Sequence, residues 1–245
     1  LRRDSFFTGV SEGSIGVDRI IAMLNVVNDQ IVVEEKGIYN IENFLSSRRL
    51  MYWQVYLHKT SVGAERLLVN LIRRAQALSQ ASEQLPASES LSFFLQHTCT
   101  LEDFGQTQVL EKFGRLDDHD VWGAIKIWQH HPDKILSMLC KKLLQRQLFR
   151  VLMGNEPIEK SRVDAIRLSI ADHYQIARSD ASYLMSVGTV TNEAYVGESK
   201  AIRILMKDGS VRDIAQASDL PNIIAMSKIV KKNYLCWPKT VSLPQ

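Results

Sequence analysis

Between Ala64 and Ala81, Leu67, Leu68, Leu71, Ile72, Ala75 and Leu78 fall at i, i+1, i+4, i+5, i+8 and i+11. A helix of about 3.6 residues per turn gathers these side chains into one stripe, whereas a strand would scatter them over two faces. A helix with one apolar stripe needs a second layer to cover it. The run Leu116–Val151 repeats the pattern as two helices. Asp117 or Asp118 caps the first; Pro132 opens the second, with Asp133 in its first turn and Lys141, Lys142 and Arg146 towards its end, as the helix dipole favours. The low count of 12 glycines and six prolines in 245 residues favours helices over a turn-rich all-β fold.

The composition changes near Arg150. Leu148–Met153 leaves the helical body as a strand, and Glu159–Gln175 reads as one more helix. Ala181–Val190, Lys200–Asp219 and Ser227–Lys239 contain strands, and Asp208-Gly209 between alternating flanks is the strongest hairpin signal in the chain. Nearer the start, Gly16–Asn25 reads as a short helix and Val26–Gly37 as a hairpin turning at Asn28-Asp29. Asn40 is expected to cap a long helix that Gly63 interrupts only weakly, and Ser88 to restart a helix after Leu85-Pro86. The expected fold is mainly α: a helical body over residues 1–150 and a smaller α+β unit over 151–245.

The net charge of +3, from 30 basic and 27 acidic side chains, is too even to argue for a nucleic-acid or membrane surface. No run approaches the roughly 20 apolar residues of a membrane span. Cys99, Cys140 and Cys236 are far apart and form no metal-binding spacing, so reduced thiols in a cytoplasmic protein are expected. The chain opens without methionine on residues that read as the last turn of a helix ending at Gly9, so it is expected to be a fragment of a longer protein.

One stretch breaks the usual economy of a core. On a helix, Arg48, Tyr52, Tyr56 and Lys59 lie within a sector of about 80°. Phe44, Leu45, Met51 and Val55 point the same way. A buried guanidinium without a partner costs several kcal/mol, so Arg48 must meet an anion or reach water. A structural ion pair with Asp4 or Glu42 would serve. So would a ligand, since Arg grips phosphate bidentately and Tyr offers a ring face and a hydroxyl.

Arg3–Val10, followed by a short helix and a hairpin and then by "RRLMYWQVYLHK" (Arg48–Lys59), resembles the HD-domain deoxynucleoside triphosphate triphosphohydrolases, relatives of the sterile-alpha-motif and HD-domain dNTPase. "LDDHDVWGAIKIW", "LLQRQLFRV", and the later "NEAY", "MKDG" and "NYLCWPK" extend the resemblance. It implies a mainly helical phosphohydrolase that releases triphosphate and a deoxynucleoside from a dNTP. It further implies a divalent metal ion held by a His, a His-Asp pair and a final Asp. That Asp precedes the Arg3-Asp4 pair, so all the ligands would lie upstream of Leu1, and the chain alone is expected to be inactive. Position by position, Asp4 would contact the sugar 3′-hydroxyl, Arg48 would hold phosphate, and Tyr56 would pack on the deoxyribose. Tyr52 stands where the family has a histidine, and Leu57 where its best-known member has a glutamine. His58 and Lys59 match positions near an effector-nucleotide site. Expected partners are the dNTP, the missing N-terminal portion and further copies in a homo-oligomer, with no membrane and no specific nucleic acid.

The internal pair His119-Asp120 reads as a solvated helix cap and not as a metal site. Trp122, Trp128 and Trp237 read as core or interface residues. A different class of function, a non-catalytic nucleotide-sensing or assembly module, and an HD phosphohydrolase of another phosphoester fit the same residues.

Overall fold

A computed structural model describes residues 1–192, 201–219 and 230–242. Helix α1 (Arg2–Thr8) ends at Gly9, whose φ of 72° closes the turn, and α2 (Val17–Ala22) follows. Strands β1 (Leu24–Val27) and β2 (Gln30–Glu34) form the expected hairpin; Asn28 (φ 50°) and Asp29 (φ 58°) both take the left-handed conformation its tight turn demands. Helix α3 (Ile38–Met51) starts after Gly37, not at Asn40. It passes into a π-helical turn, Tyr52–Tyr56, and stops. Helix α4 (Lys59–Gln80) is therefore separate, and the break falls at Leu57-His58 and not at Gly63.

The helical run continues with α5 (Glu89–Gln96), α6 (Thr107–Arg115), α7 (Asp118–Trp128) and α8 (Lys134–Leu144). Ser88 caps α5, its hydroxyl accepting from Leu91 N at 3.3 Å. Asp133 is the N-cap of α8, not a residue of its first turn; its carboxylate accepts from Leu136 N at 2.7 Å. Then come β3 (Arg150–Gly154), α9 (Lys160–Tyr174), the short α10 (Arg178–Ala181), β4 (Ser186–Asn192), β5 (Arg203–Leu205), β6 (Val211–Asp213), the short α11 (Ile214–Ala217) and β7 (Val230–Trp237). Gly209, at φ 81°, turns the expected β5–β6 hairpin. The Glu193–Tyr195 part of "NEAY" and the Ser227–Ile229 part of the last strand region lie outside the described residues. The chain is mainly α with small sheets, as expected.

Where the sequence suggests one boundary near residue 150, the chain forms two compact units, each discontinuous: residues 1–61 with 189–232, and 62–188 with 233–245. Strand pairing explains this. Strand β2 pairs in parallel with β5, Val33 opposite Ile204, drawing the β5–β6 hairpin into the first unit's sheet, ordered β1-β2-β5-β6. The first unit's core joins Val33, Ile38, Ile41 and Leu45 to Ile204 and Ile214. In the second unit β3 pairs antiparallel with the end of β7, from Arg150–Trp237 to Gly154–Asn233. There the α4 stripe buries Leu67, Leu71 and Ala75 completely, as do Ile125 and Trp128 of α7 and Leu136 and Leu139 of α8. Trp237 is buried too, but Trp122 is exposed, so of Trp122, Trp128 and Trp237 only the last two are core. Among the described residues no helix is long and apolar enough to cross a membrane.

Candidate functional site

Four of the predicted residues come together in the first unit, and the π-helical turn is the reason. The N–H of Leu57 donates to the carbonyl of Tyr52, five residues back, at 2.7 Å. Such turns fit one extra residue into a helix and shift the register of whatever follows. The tyrosine rings on this turn meet edge to face, with centroids 5.0 Å apart at 72°. The Arg48 guanidinium lies over the Tyr52 ring, 5.4 Å from its centroid, a favourable cation–π placement. Ser61 Oγ donates to the carbonyl of Val55 at 2.8 Å, giving a partner to backbone near the break.

Asp4 reaches the same place from α1. Its position is fixed by tight local packing: a side chain at Gly13 would sit 2.4 Å from Ser5 Cβ, and Ser5 Oγ donates to Val10 O at 2.5 Å. The Tyr56 hydroxyl donates to Asp4 Oδ2. Arg3 Nε donates to the other carboxylate oxygen at 3.0 Å. The Tyr56 hydrogen bond, then Arg3, hold the Asp4 carboxyl below its ordinary range, so it stays ionised and acceptor-only at neutral pH. Burial, then the hydrogen bond to Asp4, pushes the Tyr56 phenol up to about 12, so it stays a donor. The result is a half-buried row of guanidinium, ring, ring and carboxylate, with Gln54 tied to Glu12 at 2.9 Å beside it. Glu42, the other acid considered for Arg48, is buried and accepts from the Ser218 hydroxyl.

Lys59 does not share that face by α-helical spacing, because the π-helical turn and the Leu57 break (φ −101°, ψ 15°) intervene. Lys59 begins α4, exposed, and His58 is exposed beside it, its Nδ1 accepting from Thr60 N at 3.2 Å. His119-Asp120 has the geometry of a cap. Asp117 accepts from His119 N at 2.7 Å and Asp120 N at 3.3 Å, while Asp120 accepts from Asp117 N at 2.9 Å, a reciprocal capping box. Among the described residues no group of three or more His, Cys, Asp or Glu side chains could hold a metal ion, so the residues present do not fit a metal centre. Sequence reasoning missed the pairing of Tyr56 with Asp4, which spans 52 positions and has no periodic signature.

Residues 15–93 match the family described as the HD associated region. It is similar to a phosphohydrolase of known crystal structure from Bacteroides thetaiotaomicron, at 47% identity and a TM-score of 0.86, over 98% of this chain and 60% of that one. It is 28% identical over 246 residues to the uncharacterized protein YwfO of Bacillus subtilis, covering 98% of this chain and 54% of that protein. A hypothetical protein from Aquifex aeolicus shares the fold, with a TM-score of 0.59 at 22% identity. The chain spans about half the length of the Bacillus relative.

Proposed function

We propose that this chain is the substrate-holding portion of an HD-family phosphohydrolase that cleaves dNTP to a deoxynucleoside and triphosphate. The observation that carries the reading is the row Arg48–Tyr52–Tyr56–Asp4, assembled from two separate segments on a π-helical turn. The HD-associated match and the similarity to a Bacteroides phosphohydrolase support the reaction class. In this reading Arg48 neutralises phosphate oxygens while Tyr52 limits its swing. Asp4, ionised and acceptor-only, takes a hydrogen bond from the 3′-hydroxyl of the sugar. The Tyr56 ring packs on the deoxyribose, and its anchored hydroxyl leaves no room for a 2′-hydroxyl. These groups bind and orient, which supplies proximity and not bond cleavage. In this reading the divalent metal that the reaction class uses is held by residues of the longer protein and not by this chain. Placement of His58 and Lys59 by an effector nucleotide, and homo-oligomeric assembly, belong to the same proposal.

The test is a substrate panel on the longer protein that contains this chain, with release of triphosphate measured against release of orthophosphate. Triphosphate from dNTP but not from NTP supports the reading. Orthophosphate from monophosphates would assign the scaffold to another phosphoester, and nucleotide binding without turnover would make it a sensing module.

A further inference from the structure

In the second unit a cleft of about 260 Å³ opens beside α4, and its lining is cationic. Arg66, Asn70 and Arg73 occur at i, i+4 and i+7 on one face of α4, and Arg167 faces the cleft from α9. Three guanidinium groups around one small space repel one another unless an anion joins them. Two carboxylates lie nearby but look outward. Glu65 holds Arg66 Nη2 at 2.9 Å and is 56% exposed; Asp164 holds Arg167 Nη1 at 2.9 Å and is 47% exposed. Exposed neighbours of this kind neutralise weakly. Among the described residues Arg73 makes no ion pair.

Two donors at the cleft, one of them buried, also await an acceptor. Arg66 Nε is buried without a hydrogen-bond partner among the described residues. Tyr234, only 4% exposed, lines the cleft, and its hydroxyl makes no hydrogen bond to any described residue. Gly188 is what makes space for that hydroxyl, since a Cβ there would stand 2.8 Å from it. Burial raises the phenol's pKa, so it is a donor at neutral pH. Asn70 is occupied: its amide donates to Met185 O at 2.9 Å and Ser186 Oγ at 3.1 Å, which fixes the wall of the cleft. The available lining is thus rich in donors and poor in acceptors.

We infer that this cleft binds the phosphoryl group of a small phosphate compound, with Arg66, Arg73, Arg167 and the Tyr234 hydroxyl as its donors. A tetrahedral oxyanion offers enough lone pairs for all four, and Arg is the side chain suited to gripping it bidentately. The volume admits orthophosphate, a short polyphosphate or a small phosphoester. The cleft shares no residue with the Asp4–Tyr56 row.

The test is titration calorimetry on the purified chain with orthophosphate, tripolyphosphate and a dNTP. Arg73→Gln and Tyr234→Phe are the variants: the first side chain is exposed, and the second loses only its hydroxyl. Orthophosphate and tripolyphosphate are expected to bind in the millimolar range or tighter, weakened about tenfold by Arg73→Gln and about threefold by Tyr234→Phe, and unchanged by Arg48→Gln. Which probe binds best identifies the source of the phosphoryl group. No uptake of any probe up to about 10 mM, or wild-type affinity in both variants, would overturn the inference. So would binding that responds to Arg48→Gln alone.

Discussion

Replacing Arg74 with methionine should expose how the second unit is fastened. Arg74 makes a two-pronged contact with Asp133, Nη2 to Oδ2 at 2.5 Å and Nε to Oδ1 at 3.1 Å, and reaches Asp180 through Nη1 at 3.1 Å. It joins α4 to the cap of α8 and to α10, with the Tyr183 ring 5.2 Å away. The Arg74 and Asp133 side chains are 17% and 15% exposed, between the surface pairs that contribute almost nothing and the dry pairs whose breaking costs about 3–5 kcal/mol. Methionine keeps the apolar stem and removes the donors, leaving Asp133 still bonded to Leu136 N. The expected loss is about 2 kcal/mol, a fall of about 1 M in the urea midpoint by far-ultraviolet circular dichroism. Arg74→Lys, which keeps the charge without the fork, should lose about half as much. The pH dependence has a definite sign. Burial alone would raise the Asp133 carboxyl, but the Arg74 and Leu136 hydrogen bonds win and hold it below its ordinary range. Its contribution is therefore full at neutral pH and vanishes as pH falls through the lowered value. The gap between wild type and Arg74→Met should narrow between pH 7 and about pH 3. A loss under about 0.5 kcal/mol, or a gap independent of pH, would refute the reasoning.

Leu139→Ala opens a hole at a fully buried position of α8 and should cost about 3 kcal/mol in urea unfolding. Burial pushes the Cys140 and Cys236 thiols up to about 12, whereas Cys99 is half-exposed. Iodoacetamide near neutral pH should therefore alkylate Cys99 in the native protein and reach the other two only in denaturant, as peptide mass mapping would show. Tyr56 should ionise at about pH 12 in an ultraviolet titration. Asp4→Asn should bring that value down, since the carboxylate that accepts its hydrogen bond is gone.

What could be read from the sequence was local. The α4 stripe, the Asn28-Asp29 and Asp208-Gly209 turns and the Asp117 cap each follow from neighbours within one or two turns of chain. The parallel pairing of Val33 with Ile204 joins segments about 170 residues apart, and no local pattern encodes it, so the division into units was out of reach. The candidate site was half legible. Arg48 and the two tyrosines announced themselves as polar groups on an apolar stripe, but extrapolating ideal helix geometry through Tyr52–Tyr56 carried Lys59 onto a face it does not share. A π-helical turn is decided by a single shifted hydrogen bond, and helical periodicity does not register it. The arginine-lined cleft was invisible for a similar reason: Arg66 and Arg73 look like ordinary exposed positions until Arg167 and Tyr234 are brought opposite them.

The central claim is that the Arg48–Tyr56 row grips the phosphates and sugar of a nucleotide. The most direct measurement is steady-state triphosphate release from dNTP by the longer protein, comparing wild type with Arg48→Gln and Tyr56→Phe. The account predicts a fall in kcat/KM of about a hundredfold for Arg48→Gln, and for Tyr56→Phe a smaller fall with greater tolerance of NTP. Unchanged kcat/KM and unchanged sugar preference in both variants would contradict it.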